Sequence, residues 1–563
     1  MPKIETTVGD LVARFLEACG VNEVFGVISI HNMPMLDGIG RRGAIRYVLA
    51  RGEAGAVNMA DAAARVTGGL TAAFTSTGTA CGNAAGAMVE ALTAGSPVLH
   101  LTGQIDSPYL DKGRGYIHEA PDQPGLIQAV SKASFRIWTP ETALGTLREA
   151  VRIALTPPMG PVTIEIPIDI QKAAVMIPAD LAPVPPMTPA PSETALDALA
   201  ASLAEARRPL LWLGGGARGA SEAAQRLVDL GIGIVTSTNG RGVVPEDHPL
   251  TLGAVNMVPA VEAFYETCDF MLVVGSRLRG NETKNYKMAL PRPLWLSDAD
   301  PQADGRAYVG DGFVHGDAAV VLAGLADRLK GALKSKLAID PAFAGDLATA
   351  RETAITALRS NLAPYGPLVD ALQAAMPRDA VWVRDVTISN STWGNRLLKI
   401  FGPRDGVHAL GGGIGQGAPM GIGAAIAAGR VGRKTVALVG DGGFQLSLGE
   451  LMTAVQEKAD VVFLLMNDQA YGVIRNIQDA VYGGRHYYSD PLAPDFAALS
   501  TAMGLPHSKV DDLAAFPEAI AAAIAHDGPA LVEVDMVRIG PFKVAFAGPP
   551  VPQKTQAKET MKA

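Results

Sequence analysis

The chain has 563 residues, of which 48% are apolar and 18% charged, and its formal net charge is −8. This length predicts about three domains of α/β type, and the acidic balance argues against a nucleic-acid partner. No apolar run approaches the roughly 20 residues that span a bilayer, and the N-terminus lacks a signal-peptide core, so we expect a cytoplasmic protein without a membrane partner. Its three cysteines are scattered, which fits reduced core thiols rather than disulfides or a zinc site.

The first block, residues 1–178, opens with apolar residues at helical spacing from Leu11 to Leu16, followed by a strand-like run at 24–27. Glu53 stands in the first turn of a further predicted helix. An acidic residue there interacts favourably with the helix dipole, so the residue type alone does not require a catalytic role for Glu53.

Prolines divide the chain after this block. They recur from Met176 to Ser192, so this stretch is predicted to form neither helix nor sheet ladder, and residues 179–192 are assigned as an extended linker. The central block, 193–340, is followed by a third block, 350–538, and by a tail at 539–563 that is predicted to be a mobile arm or lid. The central block contains three runs typical of buried strands: Pro209–Leu213, Gly233–Thr236 and Phe270–Val274.

The third block contains a strand–helix–strand unit with an acidic residue after each strand. The apolar runs at 436–439 and 461–465 flank apolar residues at helical spacing, so the two strands run parallel. Asp441 follows the first strand, and Asp468 lies 27 residues later, just after the second. Both carboxylates therefore emerge at one edge of the sheet, where they suit Mg²⁺, and the glycines after Asp441 open a helix able to meet a diphosphate. Two ordinary turn aspartates are the alternative interpretation.

The spacing of Gly440-Asp441-Gly442 and Asn467-Asp468 resembles the metal–diphosphate motif of thiamine diphosphate (ThDP) enzymes. The resemblance covers nearly the whole chain, and the order of the blocks resembles the acetohydroxyacid (acetolactate) synthase group. It implies three doubly wound α/β domains with parallel sheets: a pyrimidine-binding domain, a central Rossmann-like domain and a diphosphate-binding domain. The implied metal ligands are Asp441, Asp468 and the backbone carbonyl of Ala470; Asn is the family's usual residue at the position of Asp468.

The resemblance also implies the residues that bind the cofactor. The segment around Glu53 is similar to the family's His-Glu-Gln-Gly-Ala segment, which makes Glu53 the activating glutamate that shares a proton with the aminopyrimidine; Gly52 replaces the family's histidine. In a glycine-rich segment similar to that of the family, Gly412 matches the carbonyl that accepts from the 4′-amino group, and Ile414 matches the apolar wedge under the cofactor. The other predicted cofactor-binding residues are Thr387, Ser389, Gly442, Gly443, Tyr471 and Gly472.

Two of these segments have simpler interpretations when they are taken alone. The glycine run at 410–419 is also compatible with a helix start that binds no ligand, because glycine loops are common. The turn at 384–393, which contains Thr387 and Ser389, is also compatible with an ordinary polar capping turn.

Two histidines set this chain apart on the substrate side. Ile30-His31 replaces the small residues of the synthases and resembles benzaldehyde lyase, in which the histidine faces the reacting carbonyl. His118 falls where relatives place a glutamine that reaches the active site. Because an imidazole titrates near neutral pH, His31 and His118 are predicted to be catalytic proton carriers, with ordinary loop histidines as the alternative.

The central block carries two further matches to the synthases. Residues 240–250 closely resemble one of their segments, and residues 275–279 resemble the segment that holds a flavin. The second match permits FAD as a cofactor without favouring it, because many relatives leave this domain empty or bind ADP there.

The expected reaction makes or breaks a C–C bond next to a carbonyl, with ThDP and Mg²⁺ as cofactors and a small 2-oxo acid, aldehyde or acyloin as substrate. Acetolactate synthase-like carboligation is the first interpretation, because that resemblance is the longest. A benzaldehyde lyase-like lyase or carboligase, or a 2-oxo acid decarboxylase, is the alternative because of His31. A non-catalytic ThDP-binding regulator is less compatible with Glu53. The family also implies a homodimer or homotetramer with active sites between subunits.

Overall fold

The computed structural model of the chain describes residues 3–331, 333 and 336–546, and these residues form three parallel sheets with helices on both faces. The predicted fold class is therefore confirmed. None of the described helices has the length and apolarity that a membrane span requires. The three cysteines are free, and Cys81 and Cys268 are buried in cores as predicted, whereas Cys19 is half-buried.

The N-terminal sheet has six strands in the order β3-β2-β4-β5-β7-β6, and a separate antiparallel pair joins β1 to β8. The strands are β1 (Lys3–Thr7), β2 (Glu23–Gly26), β3 (Arg46–Leu49), β4 (Thr71–Thr75), β5 (Val98–Gln104), β6 (Ala133–Arg136), β7 (Val162–Pro167) and β8 (Ala174–Pro178). The helices are α1 (Val8–Ala18), α2 (Met33–Arg42), α3 (Glu53–Thr67), α4 (Thr79–Ala94), α5 (Gln123–Gln128), α6 (Ala143–Leu155) and α7 (Ile168–Lys172).

The β1–β8 pair corrects one prediction about the proline-rich segment. Met176, Ile177 and Pro178 pair with Glu5, Ile4 and Lys3, so these three residues belong to a ladder that was predicted to be absent. Only Pro178 among them lacks an N–H group, and it lies at the end of a two-stranded pair, where a missing donor is tolerated. No helix or strand is assigned at 179–192.

The central sheet has five strands in the order β10-β9-β11-β12-β13. They are β9 (Pro209–Leu213), β10 (Gly233–Thr236), β11 (Phe270–Val274), β12 (Leu294–Asp298) and β13 (Gly312–His315). The helices are α8 (Glu193–Ala204), α9 (Ser221–Val228), α10 (Pro259–Tyr265), α11 (Ala318–Lys330) and α12 (Phe343–Leu362). Helix α12 packs on the central sheet, because Phe343 and Leu347 share a core with Phe264.

The C-terminal sheet has six strands in the order β15-β14-β16-β17-β19-β18. They are β14 (Val381–Arg384), β15 (Gly406–His408), β16 (Thr435–Gly440), β17 (Val461–Asn467), β18 (His507–Val510) and β19 (Ala530–Asp535). The helices are α13 (Gly366–Ala375), α14 (Gly417–Gly429), α15 (Asp441–Phe444), α16 (Glu450–Glu457), α17 (Gly472–Tyr482), α18 (Phe496–Met503), α19 (Phe516–Ala525) and α20 (Met536–Ile539).

The N-terminal and C-terminal sheets share one hydrophobic core through helices α3 and α14. Both helices are rich in alanine and glycine, so their backbones approach closely. A Cβ atom at Gly423 would lie 2.1 Å from the carbonyl oxygen of Met59. This contact brings the segments before the two helices, which contain the predicted cofactor residues, to the boundary between the domains.

The predicted tail begins in the described part of the chain. Helix α20 ends at Ile539, and the Phe542 ring packs 4.8 Å from the ring of Tyr365. Residues 547–563, and with them most of the predicted mobile arm, lie outside the described residues.

Candidate active site

The two aspartates predicted to bind the metal lie side by side at the carboxyl ends of β16 and β17. The strands are parallel, with Gly440 opposite Met466, and the Asp468 N–H donates to Asp441 Oδ1 over 3.3 Å. Burial raises the pKa of both carboxyl groups, and the neighbouring Asp441 contributes further to the pKa of Asp468, which reaches about 8. Crowding the buried Asp441 carboxylate against the half-buried Asp468 carboxylate in this way favours a cation between them.

The oxygen atoms that remain free at this edge of the sheet fit a Mg²⁺ site. Asp441 Oδ2 is buried and has no hydrogen-bond partner among the described residues. Those residues also hold no cluster of three or more His, Cys, Asp or Glu side chains that would form an all-protein metal cage. A magnesium ion that takes one or two carboxylates and completes its shell with a backbone carbonyl, water and phosphate oxygens suits this donor set.

Small residues keep the space beside the aspartates open. A Cβ atom at Gly442 would lie 2.7 Å from the Tyr471 ring, and one at Gly472 would lie 2.1 Å from Asp468 Oδ2. The Ala470 carbonyl lies 3.6 Å from the same Gly442 position. The structure therefore brings together all the residues predicted around the metal, in a cradle that side chains would fill.

The Thr387 and Ser389 turn also reaches this cradle. A Cβ atom at Gly440 would lie 3.2 Å from the Thr387 methyl group. The Thr387 hydroxyl accepts from the Asn390 N–H over 3.0 Å, which is a capping bond and leaves its proton free to donate elsewhere. Ser389 is fully buried, and its hydroxyl contacts the sulfur of Met536 at 4.0 Å.

The glycine-rich loop before α14 packs on the start of α15. Gly412 and Gly415 have φ values of +83° and +80°, which side-chain-bearing residues rarely adopt. A Cβ atom at Gly415 would lie 2.8 Å from the Gly443 carbonyl oxygen. Ile414, the predicted wedge, is 38% exposed, so this loop presents an apolar side chain at its surface.

Asp385 was not predicted as a site residue, although it organises this loop. It is buried and accepts from the N–H of Gly415 over 3.0 Å and from its neighbour Val386. Burial raises the pKa of its carboxyl group to about 6. Asp385 Oδ2 also lies 3.0 Å from the position of a Gly443 Cβ atom, so it ties the glycine loop to the α15 turn. The sequence signal was present, because Asp385 directly follows a buried strand.

The two predicted catalytic histidines come together. The ring centroids of His31 and His118 lie 5.2 Å apart in an edge-to-face arrangement. His31 is 6% exposed and its Nδ1 atom has no partner among the described residues, whereas His118 is exposed and has a φ of +70°. Burial, followed by the neighbouring His118, lowers the pKa of His31; Asp106 opposes the shift.

Glu53 begins α3, as predicted, and is half-buried. Its carboxylate accepts from the Asn83 side chain over 3.2 Å. No hydrogen bond among the described residues joins it to Gly412, Asp441 or Asp468. One chain therefore does not bring Glu53 into hydrogen-bonding contact with the diphosphate side of the site.

A cavity of about 290 Å³ lies where the N-terminal, central and C-terminal domains meet. The segment at 275–279, which was compared with a flavin-holding segment, lines this cavity, and Arg279 donates to the carbonyl of Leu410. The cavity is lined by several arginines: Arg65, Arg218, Arg277, Arg279, Arg306 and Arg404.

Comparison with known proteins shows the family of the chain. Three family models match the chain: the N-terminal TPP binding domain of thiamine pyrophosphate enzymes at residues 6–126, their central domain at 196–325, and their C-terminal TPP binding domain at 387–534. The chain belongs to the thiamine pyrophosphate enzyme family. Thiamine pyrophosphate is another name for thiamine diphosphate, so the resemblance to ThDP enzymes found in the sequence is confirmed.

Several curated proteins are similar to this chain over most of their length. The Probable 2-ketoarginine decarboxylase of Pseudomonas aeruginosa is 33% identical, over 95% of this chain and 94% of that protein. The acetolactate synthase isozyme 1 large subunit of Escherichia coli is 27% identical, over 94% of this chain and 93% of that protein. A solved structure described as a candidate thiamin diphosphate-dependent enzyme from Mycobacterium smegmatis has a TM-score of 0.77 and 25% identity, covering 94% of this chain and 99% of that one.

Proposed function

We propose that this protein is a ThDP- and Mg²⁺-dependent 2-oxo acid decarboxylase in which His31 and His118 carry the proton that completes the reaction. The observation that carries this proposal is the approach of the two imidazole rings to 5.2 Å. Loss of CO₂ from a 2-oxo acid requires a proton in its place, and an imidazole ring can both accept and donate a proton.

The cofactor would lie between the two outer domains. Asp441, Asp468 and the Ala470 carbonyl would hold Mg²⁺, and the start of α15 with the Thr387 hydroxyl would bind the diphosphate. Gly412 and Ile414 would bind and orient the other half of the cofactor. When bound, ThDP supplies a nucleophilic carbon and an electron sink for breaking the bond next to a carbonyl.

The two histidines differ in a way that suits proton delivery. His31 is buried with a free Nδ1 atom, and its lowered pKa keeps the ring neutral at pH 7, where it can either accept or donate a proton. His118 is exposed, so it can exchange protons with solvent. We propose that a proton passes from water through the exposed ring to the buried one, whose centroid lies 5.2 Å away.

Acetolactate synthase-like carboligation is the second candidate. It is supported by the synthase relatives and by the segment at 240–250. In that segment the Arg241 guanidinium donates to both oxygens of Glu246, at 2.6 Å each, and reaches the Asn395 carbonyl over 2.9 Å. The contact with Asn395 joins the central domain to the C-terminal domain. The segment therefore supports a relationship to the synthases more than it supports a particular reaction.

We also propose that the active species is a dimer or tetramer, in which Glu53 of one chain serves the cofactor held by Asp441 of another. The absence of a hydrogen bond between Glu53 and the described diphosphate-side residues of its own chain supports this arrangement. Mixing inactive Glu53→Gln and Asp441→Ala proteins under subunit exchange should restore activity, since a mixed dimer has one intact site. A fully active monomer in sedimentation would contradict it.

The deciding experiment is turnover of a panel of substrates with added ThDP and Mg²⁺, with the products identified by mass spectrometry. The panel contains pyruvate, benzoylformate, benzoin and the 2-oxo acid of arginine, the last because of the Pseudomonas aeruginosa relative. Aldehyde and CO₂ as products support decarboxylation. Acetolactate from pyruvate would establish the second candidate instead, and cleavage of benzoin without CO₂ would establish a lyase.

A further inference from the structure

The N-terminal and C-terminal sheets have the same topology. If each sheet's strands are numbered one to six along the chain, both follow the order 2-1-3-4-6-5. The segment after the second strand carries the predicted cofactor residue in both cases. Glu53 lies four residues beyond the end of β3, and Gly412 lies four residues beyond the end of β15. The two residues therefore occupy corresponding places in the two domains.

A buried glutamate of the opposite domain holds each of these segments. Glu90, on α4 of the N-terminal domain, accepts from the N–H groups of Leu410, over 2.7 Å, and Gly411. Both N–H groups directly precede Gly412. The Glu90 side chain is fully buried and also receives the Arg65 guanidinium at 2.7 Å.

Glu450, on α16 of the C-terminal domain, makes the reciprocal contact. Its Oε1 atom accepts from the N–H groups of Arg51 and Gly52, each over 3.0 Å. These N–H groups directly precede Glu53. Its Oε2 atom receives the Thr453 hydroxyl at 2.7 Å. In both domains the glutamate lies on the segment between the third and fourth strands, and in both it binds the second and third residues after the second strand.

We propose that Glu90 and Glu450 are reciprocal positioning residues, each of which sets the cofactor-facing residue of the opposite domain. Glu450 fixes the start of α3 and thereby the Glu53 carboxylate, and Glu90 fixes the Gly412 carbonyl. This inference rests on the proposed function, because it assigns both segments to the aminopyrimidine of ThDP.

The bonding pattern supports positioning over simple charge pairing. Burying a carboxylate is costly unless it is hydrogen-bonded. A carboxylate that binds two successive backbone N–H groups fixes the position of a loop more closely than one that binds a flexible side chain. Two glycines also fit closely against the carboxylates. A Cβ atom at Gly411 would lie 2.7 Å from Glu90 Oε2, and one at Gly55 would lie 2.1 Å from Glu450 Oε1.

The two glutamates respond differently to an amide substitution. Both oxygens of Glu90 accept backbone N–H groups, so Glu90→Gln must place its NH₂ group against a donor. Glu450 receives its closest backbone bonds on Oε1 alone, and the Thr453 hydroxyl facing Oε2 can reverse its role and accept. Glu450→Gln should therefore be mild, and Glu450→Ala is needed to release the Arg51–Gly52 turn.

The first measurement is backbone amide exchange of the protein without ThDP, read by mass spectrometry. We expect Glu90→Gln to speed exchange in peptides covering 410–412 and to leave 51–53 protected, and Glu450→Ala to do the opposite. Glu23→Gln is the matched control, because Glu23 is a buried glutamate of the N-terminal domain paired with Arg430 of the C-terminal domain and touches neither loop. Unchanged exchange in both loops would overturn the inference.

The second measurement is the rate at which the C2 proton of bound ThDP exchanges with solvent, by quenched NMR without substrate. We expect a loss of at least about tenfold in Glu90→Gln and Glu450→Ala, because small misplacements of acid–base groups are costly, and less than about twofold in Glu450→Gln and Glu23→Gln. Amide exchange that changes while C2 exchange does not would overturn positioning and leave a structural role.

Failure of the proposed function has a separate signature. If the unaltered protein neither binds ThDP nor speeds C2 exchange, the proposed function fails, while the amide exchange still decides whether the glutamates hold the loops. If Glu90→Gln does not fold, Arg279→Gln takes its place, because Arg279 binds the Leu410 carbonyl of the same loop from the central domain. A normal rate of C2 proton exchange in a folded Arg279→Gln protein would then overturn the inference that bonds to the Leu410–Gly411 segment position Gly412.

Discussion

The two outer sheets of this protein have the same strand order, and yet their corresponding edges carry different chemistry. Directly after the third and fourth strands, the C-terminal sheet places Asp441 and Asp468, whereas the N-terminal sheet places Ser76 and Ile105. Parallel strands always bring such residues to one edge, so the topology supplies the meeting place. The residue types then decide which edge attracts a metal ion.

The segments after the first strands differ in the same way. In the N-terminal domain this segment carries His31, which meets His118. In the C-terminal domain it carries Asp385, which binds the glycine loop, and Thr387, which lies beside Gly440. The proposed function thus assigns proton transfer to one domain and metal-mediated anion binding to the other. The first three of the four predictions below test this division, in order of their expected effect on catalysis.

Asp441→Ala should abolish the retention of Mg²⁺ and ThDP together, because the metal is the bridge between the protein and the diphosphate. Metal analysis and calorimetric titration of ThDP measure this effect. Ser76→Ala, at the corresponding place in the N-terminal sheet, should leave ThDP affinity unchanged. Asp468→Asn should be tolerated, since an amide oxygen can replace the carboxylate ligand. Loss of the metal in Asp468→Asn with retention in Asp441→Ala would show that the ligands are wrongly placed.

Glu53→Gln should lower turnover by on the order of 10²-fold or more while keeping the fold and most ThDP affinity, as is usual for a positioned acid–base group. Steady-state kinetics and ThDP titration separate the two quantities. Glu17→Gln is a control on the same domain, because that half-buried carboxylate pairs with Arg42. Near-normal turnover in Glu53→Gln would remove the assignment of this residue as the activating glutamate.

His31→Ala should lower kcat and kcat/KM by a similar factor, roughly tenfold or more, if the ring carries the proton in a decarboxylase or lyase. In a pyruvate carboligase the same substitution should change KM or the preferred substrate size more than kcat. Kinetics with pyruvate and benzoin distinguish these results, with His315→Ala in the central domain as the control. No effect on either substrate would make His31 an ordinary loop histidine.

The last prediction concerns the pH dependence of stability and should leave turnover at pH 7 unchanged. His100 on β5 corresponds in register to Phe463 on β17, and it lies buried between the hydroxyls of Thr75 and Thr163. Burial lowers its pKa from 6.5 to about 4. Between pH 6.5 and about pH 4 the unfolded chain therefore binds a proton at His100 that the folded chain does not bind. The free energy of unfolding falls as the pH falls through this range.

Urea unfolding at a series of pH values tests this assignment. From pH 7 to pH 5 the histidine should cost the unaltered protein about 2 kcal/mol, since one pKa unit corresponds to about 1.4 kcal/mol. His100→Gln lacks this titration, so the stability advantage of the unaltered protein over the variant should shrink as the pH falls. An advantage that stays constant across this range would show that the buried imidazole does not titrate as described.

The sequence by itself determined the three α/β domains, the central strands and the sheet edge at which Asp441 and Asp468 meet. The reason is that these features depend on short-range patterns: buried strands such as β9 and β16 are continuous apolar runs, and a crossover connection places Asp441 and Asp468 at one edge. Local patterns gave a wrong prediction at Met176–Pro178, where neighbouring prolines indicated no strand. These residues form a strand because they pair with a segment more than 170 residues away along the chain.

Only the tertiary structure decided the contacts between distant segments. His31 and His118 could be singled out separately, but their approach depends on where the loop after β5 returns to the sheet. Glu90 and Glu450 gave no sequence signal, because a glutamate on a helix is ordinary until the backbone it binds, about 320 and 400 residues away along the chain, is seen. Burial and hydrogen bonding across domains are properties of the folded packing, and no local periodicity encodes them.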